Sequence, residues 1–329
     1  MLISPKMGKK GVITIQFNWI YVIIIGGLIL GLFIGIINKQ RAVSEVAASG
    51  EMQRKLETLL VGAASSLGTA NLLDIGRTEI NVDCFGYSVG PVKPFDPGVS
   101  FSPSRIKVRG KQFITWAYPF NMPYLITNFL YVTSKQVRYV IVGDPDDDML
   151  NKLRDTLPEE LNIEFVESVQ GLRYKNEDKT RFVFIGGLQS LDPSFNNADV
   201  SALEITDKLY FYKKPPTILS FTTPTGDYPN PGGANAVLYA AIFSEDLETF
   251  ECNMEDAYDR VELINEIHID RTRKLSTSST YSYCSSYYND AIGWFENLKI
   301  NPMAAMELGA MELGRINYQL QIQSCPLLY

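Results

Sequence analysis

The 329-residue sequence predicts an α/β (or α+β) protein: an N-terminal transmembrane helix, a mixed-sheet α/β head and a C-terminal helical hairpin or three-helix unit. Three observations carry this expectation. Residues 19–37 contain no charge. After Gly76 short apolar runs are separated by Pro and Gly. From Leu247 onward the apolar residues recur at helical spacing.

The opening element follows from length. As a helix, the uncharged stretch 19–37 spans ~28 Å, about one hydrocarbon core, so a single crossing is expected. Secretory signals have apolar regions of about 7 to 15 residues and a small-residue cleavage site, and match it less well. Trp19 and Tyr21 sit where aromatic rings favour the interface. Lys6, Lys9 and Lys10 outweigh Lys39 and Arg41, which puts the N-terminus in the cytoplasm and the remainder outside. Gly27, Gly31 and Gly35 recur every fourth residue and line one helical face. They would admit another helix closely, so self-association is one expectation, and the general abundance of Gly in membrane helices is the other.

Charge is divided along the chain. Residues 1–41 carry five basic residues and no acid, leaving 25 basic against 37 acidic residues beyond Arg41. An acidic globular part lacks the clustered positive charge that nucleic acid needs in a partner, and nucleic acid is set aside.

The stretch "KKG" followed by "VITIQF" resembles the class III signal of archaeal type IV prepilins, in which a basic pair and Gly precede the apolar helix. The resemblance implies processing at Lys9, Lys10 and Gly11, with cleavage after Gly11 and Val12 as the mature N-terminus. The family's acidic fifth residue corresponds to Gln16, whose neutral amide cannot form the intersubunit ion pair implied for pilins. Beyond the span, Val43, Val46, Leu56, Leu59, Leu60, Ala63 and Leu67 recur near a 3.6-residue period, with Gly68 as the stop. A membrane helix running into an amphipathic half, over about 13–67, is also how a type IV pilin begins. An ordinary anchor with a juxtamembrane helix is the preferred reading.

The head opens with the strand-like runs "TEINVD", "VSFSPSRIKV" and "QFITWAYPF". "RYVIVGDPDDDMLNKLRDTLPEELNIEFVES" then gives an apolar run, an acidic turn, a helical pattern at Met149, Leu150, Leu153 and Leu157, and another strand. "TRFVFIGG", "ALEIT" and "KLYFYK" extend what reads as a parallel or mixed sheet.

Within it, "VIVGDPDDD" places Asp144 and Asp146 after a strand, a superficial match to Mg-dependent phosphatases of the haloacid dehalogenase class. Asp148 stands where that pattern has Thr or Val, and no downstream Lys or second Asp pair completes it. Capping of a helix that starts near Asp147 is the preferred account. The turn-rich segment 222–233 reads as a binding loop or a connection, and its glycines lie outside phosphate-loop spacing.

In the C-terminal region Met254, Ala257, Tyr258, Val261, Ile264, Ile267 and His268 are expected on one packed face of a helix ending near Leu275. The Ser/Thr/Tyr-rich stretch 276–288 is expected to make a turn. Two more helical patterns follow, broken at Asn301-Pro302. His268 is the sole histidine, and no G-x-S-x-G elbow or Cys-His pairing is visible, so it reads as a helix-face residue and no catalytic or cofactor-binding residue is assigned.

Cys84, Cys252, Cys284 and Cys325 all follow the span, with no C-x-x-C spacing, which favours disulfides in an oxidising space over a zinc site or buried free thiols. If the chain reverses at Asn301-Pro302, Cys325 returns toward Cys284 and Cys84 is left for Cys252, the favoured arrangement. If it merely kinks there, Cys252 with Cys325 follows instead.

"IQFNW", "FSPSRI", "MPYLITNFLYVTS", "FECNM" and the terminal "SCPLLY" together resemble a family of single-pass archaeal membrane proteins across nearly the whole chain. The resemblance implies an envelope location and brings no catalytic residues.

The expected organisation is a basic cytoplasmic leader (1–11), a transmembrane helix (12–37), a juxtamembrane helix (38–68), an extracytoplasmic β-rich and α/β domain (69–245) and a helical region (246–329). The expected role is a membrane-anchored structural or interaction protein whose partners are the lipid bilayer, other copies through the membrane helix, and envelope or pilus-like proteins. A pilin-like subunit and a tethered metal-dependent hydrolase using Asp144 and Asp146 are the alternatives.

Overall fold

The computed structural model of the chain describes residues 10–110, 112–213, 221, 224–229, 235–300 and 302–329, with side chains throughout these except at 10–18, 41–42 and 302–307. Lys9, Asn301 and half of the 222–233 segment (222–223 and 230–233) therefore lie outside the described residues, as do the side chains of Lys10, Gly11, Val12 and Gln16.

Helix α1 (Lys10–Ala64) is continuous for 55 residues. It ends one turn before Gly68, which adopts a φ of +73°, and its last carbonyl is capped: Asn128 Nδ2 donates to Ala64 O at 3.1 Å. Only part of the expected amphipathic face is used. Leu56, Leu60 and Ala63 are buried, whereas Val43, Val46 and Leu67 are half or more exposed, because the head first meets the helix near Ser49 and the helix stops before Leu67.

Three sheets follow. The antiparallel strands β2 (Arg77–Asp83), β3 (Gly86–Val89) and β5 (Arg105–Arg109) form a small sheet in the order β3-β2-β5. A second sheet has the order β1-β6-β7-β4, with β1 (Ala70–Leu73), β4 (Ser100–Phe101) and the long hairpin β6 (Phe113–Asn121) and β7 (Leu125–Ser134). Alternation along this hairpin gives it two buried faces. Phe113, Leu130 and Val132 join α1 and the small sheet in one apolar cluster, while Ile114, Trp116, Phe129 and Tyr131 belong to the main core.

The third sheet is mixed, in the order β13-β12-β11-β10-β8-β9. Strands β8 (Val137–Val142), β9 (Ile163–Val166), β10 (Lys179–Ile185) and β11 (Val200–Ile205) are parallel, and β12 (Lys208–Lys213) and β13 (Gly226–Pro229) add antiparallel edges. β13 falls inside the segment expected to be a loop. Between β8 and β9, helix α2 (Asp148–Thr156) buries Leu150 and Leu153.

An element absent from the sequence reading, α3 (Asn235–Phe243), lies between the two larger sheets. From Ala236 to its end every residue is buried, and a helix that is apolar all round has to be enclosed. Its rings contact both layers: Tyr239 lies 5.1 Å from Trp116, and Phe243 lies 5.0 Å from Tyr131 and 5.3 Å from Tyr139, centroid to centroid.

The C-terminal unit has three long helices, α4 (Leu247–Ser276), α5 (Ser285–Ile300) and α6 (Pro302–Ile322). The stretch expected as a turn is shorter: a 3₁₀ segment over Ser279–Cys284 is followed directly by α5. The face of α4 is also rotated from expectation. Met254, Ala257 and Val261 are buried, but the stripe continues through Asn265, Ile269 and Thr272, and Ile267 is 60% exposed. The main core runs without interruption from the sheets through these helices.

Candidate functional site

The part of the molecule with the clearest physical assignment is α1 and its junction with the head. Among the described residues it is the one helix long and apolar enough to cross a membrane by length and composition, with a mean hydropathy of 2.9 in its apolar window, none of it buried by the head. Gly27, Gly31 and Gly35 share a shallow groove with Leu28, Leu32 and Ile36. A Cβ added at any of the three would meet nothing within 4 Å, so the fold itself does not require their small size.

At the other end the helix is fixed to the head. Leu56, Leu60 and Ala63 pack in one cluster with Ile75, Ile80, Tyr87, Phe113, Leu130 and Val132. Gln53 clamps the end of β3 and the connection after it: its Nε2 donates to Lys93 O, and its Oε1 accepts from Val89 N at 3.3 Å. The second half of the helix is thus held to the head by an apolar face and by hydrogen bonds.

The densest buried charge lies where β10 meets the start of α4. Lys179 Nζ donates to Glu245 Oε2, both groups being under a tenth exposed, and Asp199 stands 3.7 Å from the ammonium. Glu245 also accepts from the Ser104 hydroxyl and, at 3.1 Å, from the Ser104 amide. Burial opposes ionisation of Glu245, but Lys179 and Ser104 outweigh it and hold its carboxyl below the usual range.

Two residues along the strand, the Arg181 guanidinium donates to Ala202 O (3.0 Å), Glu245 O (3.0 Å) and Ala241 O (3.1 Å). It thus satisfies carbonyls at the C-terminal end of α3, where a cation is favoured. Complete burial pulls its pKa down to about 10, with Glu245 opposing. These bonds link β10, α3, the start of α4 and the β4–β5 connection and hold the layers in register, with Arg181 Nε left buried without a partner among the described residues.

The residues weighed for chemistry resolve into structural roles. Asp147 caps α2, its Oδ1 accepting from Met149 N at 2.8 Å and Leu150 N at 3.2 Å. Asp144 Oδ1 accepts from Asp146 N at 2.9 Å, closing the preceding turn. Among the described residues no group of three or more His, Cys, Asp or Glu side chains is placed to hold a metal ion. His268 is half-buried, stacked at 5.4 Å on Phe295 and packed at 4.2 Å against Tyr124. Its Nδ1 lies 3.2 Å from Leu328 O, which also accepts from Arg271 at 2.8 Å. Burial, then the Arg271 charge, lowers its pKa.

Comparison of the chain with family models, with curated proteins and with solved structures finds no match. The functional reading therefore stands on the geometry alone.

The cysteines pair as Cys84–Cys252, with Cα atoms 5.8 Å apart, and Cys284–Cys325, 6.8 Å apart. The second pair follows from a reversal between α5 and α6, which packs Gly309 against Leu298 and returns the chain to the start of α5. The first ties the β2–β3 turn to α4. Two disulfides are the covalent chemistry of an oxidising compartment. The ionic junction was missed by the sequence reading. The signal available for it was the alternation Lys179-x-Arg181 at the head of a strand whose remaining four residues, Phe182 to Ile185, are apolar.

Proposed function

We propose that the chain is a membrane-anchored extracytoplasmic structural or interaction protein of the cell envelope, with its N-terminus in the cytoplasm and the disulfide-braced head outside. The observation that carries this reading is the continuity of α1 from a bare apolar span into the α1–sheet core, with no break between anchor and head. Two disulfides and the acidic balance beyond Arg41 support it. From Ile37 to Ser49 is ~18 Å of helix, so the head stands close to the bilayer and offers its surface to neighbours in or on the membrane.

A second reading, a pilin-like subunit processed after Gly11, is favoured by one observation: a single uninterrupted helix, bare over the described apolar residues 19–37 and packed on a sheet toward its end. One experiment tests both. The protein is purified from membranes after alkaline carbonate washing, and its N-terminal residue and intact mass are measured with and without reduction. Retention in the membrane and a mass lower by four hydrogens than the all-thiol chain support the first reading, and Val12 as first residue supports the second. Release by carbonate, or four free thiols in material taken directly from cells, overturns the extracytoplasmic anchor.

A further inference from the structure

Helix α6 carries apolar side chains on two opposite faces. Leu313, Ile316 and Leu320 are fully buried in the core. On the other side Leu308, Met311, Tyr318 and Ile322 are each half or more exposed. With Arg315 they follow the three-then-four spacing of a coiled-coil seam over two heptads. A surface helix needs one apolar stripe to join its fold, and among the described residues the outer one is left exposed.

We propose that the outer stripe of α6 is a homotypic interface, paired with the same stripe of a second copy in antiparallel orientation. Among the described residues a single charged pair lies along the stripe, and it selects the occupant and the direction. Arg315 Nε lies 2.8 Å from Glu312 Oε2 of its own helix. A parallel, in-register pair would set Arg315 directly against Arg315 of the second copy, a like-charge contact. In the antiparallel pair that matches the two seam positions of each heptad, Leu308 faces Tyr318 of the second copy, and Arg315 faces Met311. The Arg315 guanidinium then reaches the level of the second copy's Glu312, and symmetry makes this exchange twice.

The area fits a membrane-assisted dimer. The described stripe is ~22 Å long and ~10 Å wide, or ~220 Å², well below the ~800 Å² per partner of a stable soluble complex. Copies anchored in one bilayer meet at a raised effective concentration, and a weak self-complementary seam then suffices. In this respect the inference rests on the anchored reading above.

The test uses the full chain in its native membrane with a benzophenone amino acid in place of Tyr318. Irradiation is expected to give a product of twice the chain mass, with the cross-link mapping near residue 308. Arg315→Glu, an exposed substitution, should cut the yield about fivefold or more, since both interchain ion pairs turn repulsive, and the double variant Glu312→Arg/Arg315→Glu should restore it. Cross-links only to lipid or to a different polypeptide, a 318-to-318 product, or a yield indifferent to Arg315→Glu overturns the proposal. Carbonate extraction of the same sample separates the two readings: a released protein that still cross-links to itself defeats the anchor and leaves the seam standing.

Discussion

The Lys179–Glu245 junction makes a demand on stability that can be worked from its surroundings. Both side chains are under a tenth exposed, and Glu245 has three protein donors, Lys179 and the amide and hydroxyl of Ser104. Replacing Lys179 with Met leaves an ionised carboxylate buried with neutral donors only, and breaking a buried pair on one side costs roughly 3–5 kcal/mol. Replacing Glu245 with Gln leaves the ammonium with Asp199 at 3.7 Å, a carboxylate 44% exposed. The loss should then fall below that range, at about 2 kcal/mol. The double variant Lys179→Met/Glu245→Gln removes both charges, keeps an acceptor for Ser104, and should lie within ~1 kcal/mol of the native chain.

The assay is urea denaturation of the full chain in detergent, followed by near-ultraviolet circular dichroism of the buried aromatic core. Shifts of the midpoint are compared across the four chains as a double-mutant cycle. Acidification gives a second axis. The folded Glu245 carboxyl is held below its usual range, so its stabilisation is complete above the ordinary carboxylate pKa of ~4.3 and is lost as pH falls through the lower folded value. The native chain should therefore destabilise more steeply below about pH 4 than the double variant. Additive losses, with a coupling energy under ~1 kcal/mol, would refute the claim that the two charges depend on each other.

Three further outcomes follow from particular contacts. At Gly86, φ is +109° and an added Cβ would lie 2.0 Å from Phe95 O. Gly86→Ala should cost about 2–3 kcal/mol, seen as an earlier thermal midpoint, whereas the same change at Gly31, where nothing lies within 4 Å, should leave the head's midpoint unmoved. Cys84 is exposed and Cys284 is fully buried, so mild dithiothreitol followed by alkylation should label Cys84 and Cys252 before Cys284 and Cys325, read by peptide mass. The pKa of His268 is lowered in the fold. The unfolded chain binds that proton first, at ~6.5, so the docking of residues 325–329 loses stability as pH falls from ~6.5 toward the folded value. The amide-exchange protection factor at Leu328, whose N–H donates to Asn317 Oδ1 at 2.8 Å, should fall over that range in the native chain and stay level in His268→Gln.

What could be read in the sequence, and what could not, divides along the range of the interactions. The span of α1, the extent of α4 and the cap at Asp147 were legible because each depends on residues within a few turns. Where the partner is remote the pattern misleads. Asn265 and Thr272 look like surface residues of α4, yet the Tyr124 hydroxyl, 141 residues away, donates to Asn265 and draws that stripe inward, leaving Ile267 to solvent. The run that forms α3 has no period to read, because a helix enclosed on all sides and a buried strand are both continuously apolar.

Lys179 and Arg181 suggest the outer face of a strand until Glu245 and the end of α3 arrive from more than 60 residues along the chain. The same reasoning explains why the second face of α6 became visible only with the structure. Its sequence is apolar on nearly every side, and such a helix reads as core. Once the fold has taken Leu313, Ile316 and Leu320 for itself, Leu308, Met311, Tyr318 and Ile322 are left exposed among the described residues, and in the proposed pair a second copy supplies the matching spacing and the complementary charge.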